Sequence, residues 1–427
     1  MRPEPDIVIG GGLGGLTSAL MLARAGRKVI LFEKASDLGG RAATHDEGGV
    51  RLNFGPHALY RRGAARTALR ALGVDPTGGR PAASGMLALD GGRLHALPAG
   101  FTSLVTTGLL GMSEKIEAAR LLQGLARIDT GSLRDVSVRD WIDGGARRPG
   151  TRRLLHALVR VTTYSNAPDL ACAADTVLQL QRGLSTGVMY VDGGWQTIVD
   201  ALEALALAAG VQVHRSTRVA AVAPGRVTLA GGGQFAAGDV IVAATPAAAS
   251  ELVPSSAELA AAAAAAVPVR AACLDLALSA LPRPRATFCL GIDEPLYYSV
   301  HSASAALAPD GAQVIHVARY LAPGEVADAS SLEALLDRLQ PGWRDRVVTR
   351  RFLPQLVVAS DIHPAGRRRP GPAVADAPGV YVVGDWVGEG AMLADAAVAS
   401  ARAAVTRILD LGAARHERPA PAAASAV

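Results

Sequence analysis

The chain has 427 residues, half of them hydrophobic, with 47 glycines, 4% aromatics and a formal charge of +5. That length exceeds a usual single core, so two domains, or one intertwined pair, are expected, with ample room to bury a cofactor. The basic residues are almost all arginine and scattered, with a run only at Arg367, Arg368 and Arg369, and without a basic stripe or an aromatic-basic alternation nucleic-acid binding is not expected.

Taken in order, residues 6–34, DIVIGGGLGGLTSALMLARAGRKVILFEK, read as a strand over 6–9, a glycine turn over 10–15, a helix over about 16–25 and a second strand over 28–32, which is a βαβ opening. A strand so near the N-terminus leaves no room for a signal peptide, and no later segment sustains an apolar span of about 18 residues. The expectation is a cytoplasmic protein with no transmembrane segment. From about 63 to 181 the pattern turns helical, as in 112–128 and 137–142, and resembles an inserted domain. Over 190–222 a Gly-Gly turn opens an amphipathic helix ending at Gly210, followed by a β-branched strand; 227–246 adds a hairpin and a strand stopped by Pro246. The alanine run 258–267 is a helix without functional content. Runs at 295–302 and 312–321 read as strands with one packed face, then 331–339 as a helix. Residues 379–409 repeat the strand, glycine loop and helix of the opening, ahead of a Pro/Ala tail. The three cysteines, Cys172, Cys273 and Cys289, show no CxxC pair and no histidine at ligand spacing, so they read as buried free thiols in a reducing compartment, with no metal site.

Gly10, Gly12 and Gly15 form G-x-G-x-x-G directly between strand and helix. Gly10 permits the tight turn, Gly12 lets a pyrophosphate approach the backbone, and Gly15 lets helix and strand pack closely. The helix N-terminus offers free N–H groups and partial positive charge to that pyrophosphate. Glu33, at the end of the second strand, is placed to bond both ribose hydroxyls and would repel a 2′-phosphate. These residues by themselves leave NAD and FAD both open.

The run from GGGLGG through FEKASDLGGRAA, then NFGPHALY (53–60) and VVGDWVGEGAMLADAAVASARAA (382–404), resembles the superfamily of FAD-dependent amine oxidases and phytoene desaturases. The resemblance implies an elongated FAD, with adenosine on Glu33, pyrophosphate near Gly12, Gly40 and Arg41, and adenine against the backbone of Val219. It places Gly384 and Asp385 at the ribityl or pyrophosphate end, and aims the helix starting near Met392 at the flavin pyrimidine edge, where its N–H groups stabilise charge that builds on reduction. His57 and Tyr60 are the candidates for the reacting face; a hydrogen-bonded structural role for His57 weighs equally. Tyr297, Ser299 and His301 share one strand face, with Tyr298 and Val300 on the other. Tyr297, Tyr298, His301, His316 and Tyr320 are expected mainly in packing.

The sequence departs from amine oxidases in two places. No lysine follows Lys115, and the stretch GEGAMLADAA carries no aromatic residue to build an amine cage. The late motif also lacks a cysteine, so FAD is expected noncovalently bound. The resulting expectation is an α/β fold with a discontinuous Rossmann-like FAD-binding domain (1–75, 188–250 and 365–412), an inserted α+β substrate-binding domain (76–187 and 251–364) and a disordered tail (413–427). Its leading function is a dehydrogenase or desaturase taking a hydride from a carbon of an apolar small molecule to flavin N5. The alternatives are an oxidase of C–N bonds releasing hydrogen peroxide, and a redox-neutral FAD-dependent isomerase or cyclase. The electron acceptor is left open between oxygen and a quinone.

Overall fold

Strand Asp6–Ile9 is buried at every position because it runs in the middle of a five-stranded parallel sheet. The order is Gln212–His214, Val29–Phe32, Asp6–Ile9, Val240–Val242, Val380–Val382. A parallel sheet covered on both faces requires such unbroken apolar strands. The chain leaves the central strand toward Val29–Phe32 on one side, while Val240–Val242 pairs with it on the other. Strand order reverses at that point, which opens a crevice beyond the carboxyl ends of the strands. The structure, a computed structural model, describes residues 4–81, 85–309 and 311–416.

The first helix, Leu13–Arg24, begins earlier than the pattern of apolar residues indicated, with Gly14 and Gly15 inside its first turn. A Cβ on Gly15 would stand 1.9 Å from the Gly10 carbonyl oxygen, and one on Gly14 would stand 2.8 Å from a Val383 methyl. Helix, central strand and the C-terminal segment therefore approach more closely than any side chain at these positions would allow. Helices Gln196–Ala208 and Leu393–His416 pack on the same side, their Ile198, Leu202, Val398 and Val405 meeting Leu16 and Leu20 in one cluster. The disordered tail expected over 413–427 is replaced by helix as far as His416, and residues 417–427 lie outside the described residues.

A second, seven-stranded sheet runs Val347–Ala359, Val269–Leu278, Gln313–Leu321, Leu296–Val300, Phe288–Gly291, Met86–Asp90, Arg93–Ala96. Its pairings are antiparallel except for the parallel contact of Phe288–Gly291 with 86–89. The hairpin 86–96 falls in the region expected to be helical. Its turn is Asp90-Gly91-Gly92, both glycines at positive φ, a chemistry suited to two-residue hairpin turns.

The expectation of one packed face for these strands is corrected: Val269–Leu278 is buried at nine of ten positions and Leu296–Val300 at all five. Helix Ser330–Leu339 covers one face, with Leu332, Leu335 and Leu336 against Tyr298 and Leu274. The other face meets Leu104, Leu109 and Leu154 from the helical segment 101–163. Among the described residues no helix is long and apolar enough to cross a membrane, and Cys172, Cys273 and Cys289 are buried and free.

Candidate active site

A cavity of about 660 Å³ starts at the carboxyl ends of the parallel sheet and runs toward the seven-stranded sheet. Gly10, Gly12, Gly15, Glu33, Gly40, Arg41, His57, Tyr60, Val219, Gly384, Asp385 and Met392, singled out from sequence, all line it. At its first end the three motif glycines have different jobs. Gly10 holds φ +105° with its Cα beside the Ala243 carbonyl, where a Cβ would stand 2.4 Å from the oxygen. Gly15 is required by the packing described above. Gly12 has φ −78°, open to any residue, and a Cβ there would meet only the Gly39 oxygen at 3.7 Å. Its missing side chain leaves room in the cavity rather than in the protein core.

The Glu33 carboxylate accepts from the Gly11 N–H at 2.7 Å and from the Ala35 N–H at 2.8 Å. It is thereby fixed at the rim of the glycine turn, beside Val219 at the start of strand Val219–Ala223.

Arg41 and Asp385, 344 residues apart, form a bidentate pair, Nη1 to Oδ2 at 2.7 Å and Nη2 to Oδ1 at 2.9 Å. Arg41 Nη1 also donates to the Val358 carbonyl at 2.9 Å. Asp385 accepts further from the Ser360 N–H at 2.9 Å. Burial alone would push the Asp385 carboxyl up, but the charge and hydrogen bonds of Arg41 and the Ser360 N–H outweigh it and hold the group at about 2. The backbone of Asp385 is held too, its carbonyl accepting from His363 Nε2 at 2.9 Å and from Arg369 at 3.4 Å.

At the inner end, the last helix points its N-terminus into the cavity. Its first intrahelical bond runs from the Ala396 N–H to the Met392 carbonyl, so the N–H groups of Leu393, Ala394 and Asp395 have no partner within the helix. Leu393 is held at φ +54°, an uncommon conformation for a side chain of this kind, and such outliers concentrate where function fixes the backbone. Asp395, in that first turn, uses Oδ1 to accept from the Ala65 N–H at 2.8 Å, while its buried Oδ2 has no protein partner. Burial raises its pKa against the pull of the Ala65 N–H and Arg182.

His57 and Tyr60 reach the cavity but spend their polar atoms on the protein. His57 Nδ1 lies 3.2 Å from the Gly55 carbonyl and Nε2 2.9 Å from that of Arg41. Burial lowers its pKa despite these carbonyls. The Tyr60 hydroxyl donates to the Thr162 carbonyl at 3.1 Å, and burial pushes the phenol up. Tyr164, also on the wall, donates to the Pro56 carbonyl at 2.9 Å. Trp195 stands edge-on to His57 at 5.2 Å and lines the cavity with a buried indole N–H that no protein atom accepts.

Sequence reasoning missed Asp395, Tyr164, Trp195 and Ser360. Asp395 carried one signal, an acid at the start of a long helix; the others carried none, since only the fold brings Tyr164 and Trp195 to the wall and the Ser360 N–H to Asp385. None of Tyr297, Tyr298, His301, His316 and Tyr320 lines the cavity. Tyr297 and Ser299 do share a face, both within hydrogen-bond reach of the Tyr190 hydroxyl, while Tyr298 and Val300 pack on the other.

Residues 13–273, well over half of the chain, match the family model described as flavin containing amine oxidoreductase. A 53-residue stretch, 12% of this chain, is 51% identical to carotenoid 3,4-desaturase of Haloarcula japonica, spanning 11% of that protein. The fold is similar to that of an oxidoreductase from Methanosarcina mazei, with TM-score 0.76 and 19% identity over 95% of this chain and 100% of that one. It is also similar to cyclohexylamine oxidase from Brevibacterium oxydans, with TM-score 0.71 and 15% identity over 96% and 100%.

Proposed function

The chain belongs to the family of flavin-containing amine oxidoreductases, and from that premise we propose that it is an FAD-dependent dehydrogenase or desaturase acting on a carbon of an apolar organic molecule. The observation that carries this reading is the convergence of three distant segments, the glycine turn, the Arg41–Asp385 pair and the Met392 helix terminus, on one elongated cavity. The space above Gly12 and the unpartnered Trp195 Nε1 and Asp395 Oδ2 on the wall fit a bound group that is both phosphorylated and polar at its far end. Bound there, FAD supplies a hydride acceptor at flavin N5.

In this reading Glu33 accepts from the ribose hydroxyls, the Gly12 backbone and the helix Leu13–Arg24 N-terminus receive the pyrophosphate, and Arg41 balances its charge. The N-terminus of the Met392 helix stabilises negative charge on the pyrimidine edge. Tyr60, Tyr164 and Leu356 form an apolar wall that keeps water from the reacting carbon, their hydroxyl groups, where present, turned to backbone carbonyls. No cysteine lines the cavity, which supports noncovalent binding, and its lining lysine, Lys34, sits beside Glu33 at the nucleotide end. With no lysine at the inner end, the cavity lacks the residue that, by the resemblance to amine oxidases, holds water against flavin N5. A polyene is the class that the desaturase relative's name suggests. We divide the chain into the nucleotide-binding segments 1–75, 188–250 and 365–412 and the substrate-binding segments 76–187 and 251–364, and place the protein in the cytoplasm on the strength of its three unpaired thiols.

A second reading, a C–N oxidase, is favoured by one observation: the free oxygen of Asp395 at the inner wall could hold a substrate ammonium. Anaerobic bleaching of the bound flavin over a panel of amines, amino acids, polyenes and porphyrinogens separates the two. Bleaching by a polyene alone supports the first. Bleaching by an amine, with hydrogen peroxide released on admitting air, replaces it with the second.

A further inference from the structure

Across the centre of the seven-stranded sheet, the register sets Arg351, Asp275, His316 and Ser299 side by side on four neighbouring strands. Neighbours in such a row are directly opposite and interact. Asp275 is 0% exposed, yet both of its oxygens are bonded. Its Oδ1 takes a 2.6 Å bond from His316 Nδ1, and its Oδ2 takes 2.7 Å and 3.2 Å bonds from Arg351 Nη2 and the Gly55 N–H. Arg351 in turn donates to the Asn53 carbonyl and lies 5.1 Å over the Phe54 ring.

The two charges thus hold two backbone groups and one ring of a single loop, 53–57, whose Phe54, Pro56 and His57 line the cavity. Gly55 sits at φ +72°, and a Cβ there would be 2.9 Å from Cys273 Sγ and from a Leu356 methyl, so the loop is drawn hard against the sheet. A buried ion pair is by itself poor evidence for stability, since apolar residues of the same shape serve as well, and here Arg351 Nη1 is buried without a partner in the protein. What such a pair provides is a fixed geometry for the groups it bonds.

We infer that Asp275, through Arg351 and the Gly55 N–H, is the positioning residue that fixes the 53–57 wall of the cavity. The inference rests on the reading of that cavity as the cofactor site only for its second readout below. His316 serves as the third partner, and its Nε2, with no acceptor or donor in the protein, plays no part in holding the loop.

The test is amide hydrogen exchange on the full-length chain as D275N and as D275N/R351M, with FAD retention measured alongside. D275N keeps the shape and removes the charge; the double variant also removes the charge left unpaired. The expected result is exchange about tenfold faster at residues 53–58 in both variants, strand Val29–Phe32 unchanged, thermal stability lost in D275N and regained in the double variant, and FAD retention weakened in both. Loop protection that stays at the wild-type level in both, or returns together with stability in the double variant, overturns the inference. Should D275N fail to fold, the double variant alone decides by the same criterion. Should the wild-type chain retain no FAD, the cofactor reading fails, while the exchange rates still judge the role of Asp275.

Discussion

Replacing Asp385 with Asn isolates the electrostatic joint of the cavity. The side chain is 2% exposed and titrates at about 2, whereas an ordinary aspartate titrates near about 3.9. The folded pKa is depressed, so the contribution to stability is fully present above the unfolded value and is lost as pH falls through the folded one. The gap is worth about 2.5 kcal/mol at pH 7, about half of that at pH 3, and almost nothing below about pH 2. Asn has the size of the protonated acid and should cost close to the full amount at neutral pH. Chemical denaturation of wild type and D385N at a series of pH values measures the difference directly, and other titrating groups cancel. A difference that does not change between pH 7 and pH 3, or one well under about 1 kcal/mol at pH 7, would refute the argument that the Arg41 pair and the Ser360 N–H set the state of this carboxylate.

Gly12 and Gly15 should behave oppositely. G12V leaves the thermal midpoint near wild type while abolishing flavin retention, because its side chain enters the cavity; G15A, with a Cβ 1.9 Å from the Gly10 oxygen, lowers the midpoint itself. Equal effects on the midpoint would sink this division. Glu33→Ala should weaken FAD retention at least tenfold, since charge-assisted hydrogen bonds are worth ~1.5–3 kcal/mol each; unchanged occupancy after gel filtration would remove Glu33 from the site. His57, with both nitrogens at carbonyls and its pKa lowered by burial, should not be the source of a neutral limb in the pH–rate profile. H57Q is expected to keep the position of any such limb, and a limb that disappears in H57Q would make His57 a proton carrier after all.

The convergence of the glycine turn and Glu33 on one end of the cavity was legible because its parts are local. Gly10, Gly12, Gly15 and Glu33 lie within one βαβ unit, where strand and helix periodicity fix their relation. Arg41 and Asp385 could be nominated one by one from resemblance, but their pairing depends on the parallel contact of Val380–Val382 with Val240–Val242, which no local pattern encodes. Asp395 and Trp195 stayed hidden because an acid in a helix's first turn and a tryptophan after Gly-Gly have ordinary structural uses. The burial of both faces of Leu296–Val300 is not legible because a strand of that composition suits an open, half-solvated sheet as well as a covered one. The row Arg351, Asp275, His316 depends on register between strands up to 76 residues apart.

The Arg41–Asp385 pair raises a question about how an anion could use an arginine already engaged. A guanidinium has five N–H groups in a fixed plane. Three are donated here, two from Nη1 to Val358 and Asp385 and one from Nη2 to Asp385, and five minus three leaves two, on Nε and on Nη2. The Arg41 side chain retains 41% of its exposure while Asp385 keeps 2%, and Arg41 lines the cavity, so the pairing leaves part of the arginine accessible. In the proposed reading, in which Arg41 receives the pyrophosphate, Asp385 would not compete with it: by fixing the plane of the guanidinium it would leave the remaining N–H groups pre-oriented and remove an ordering cost from binding. On that account D385N should slow or weaken flavin uptake even at a pH and temperature where the variant is fully folded. R41K, which keeps the charge but not the planar fork, should do the same. Uptake by folded D385N at the wild-type rate and affinity would mean that Arg41 orients itself without help, and that the pair belongs to stability alone.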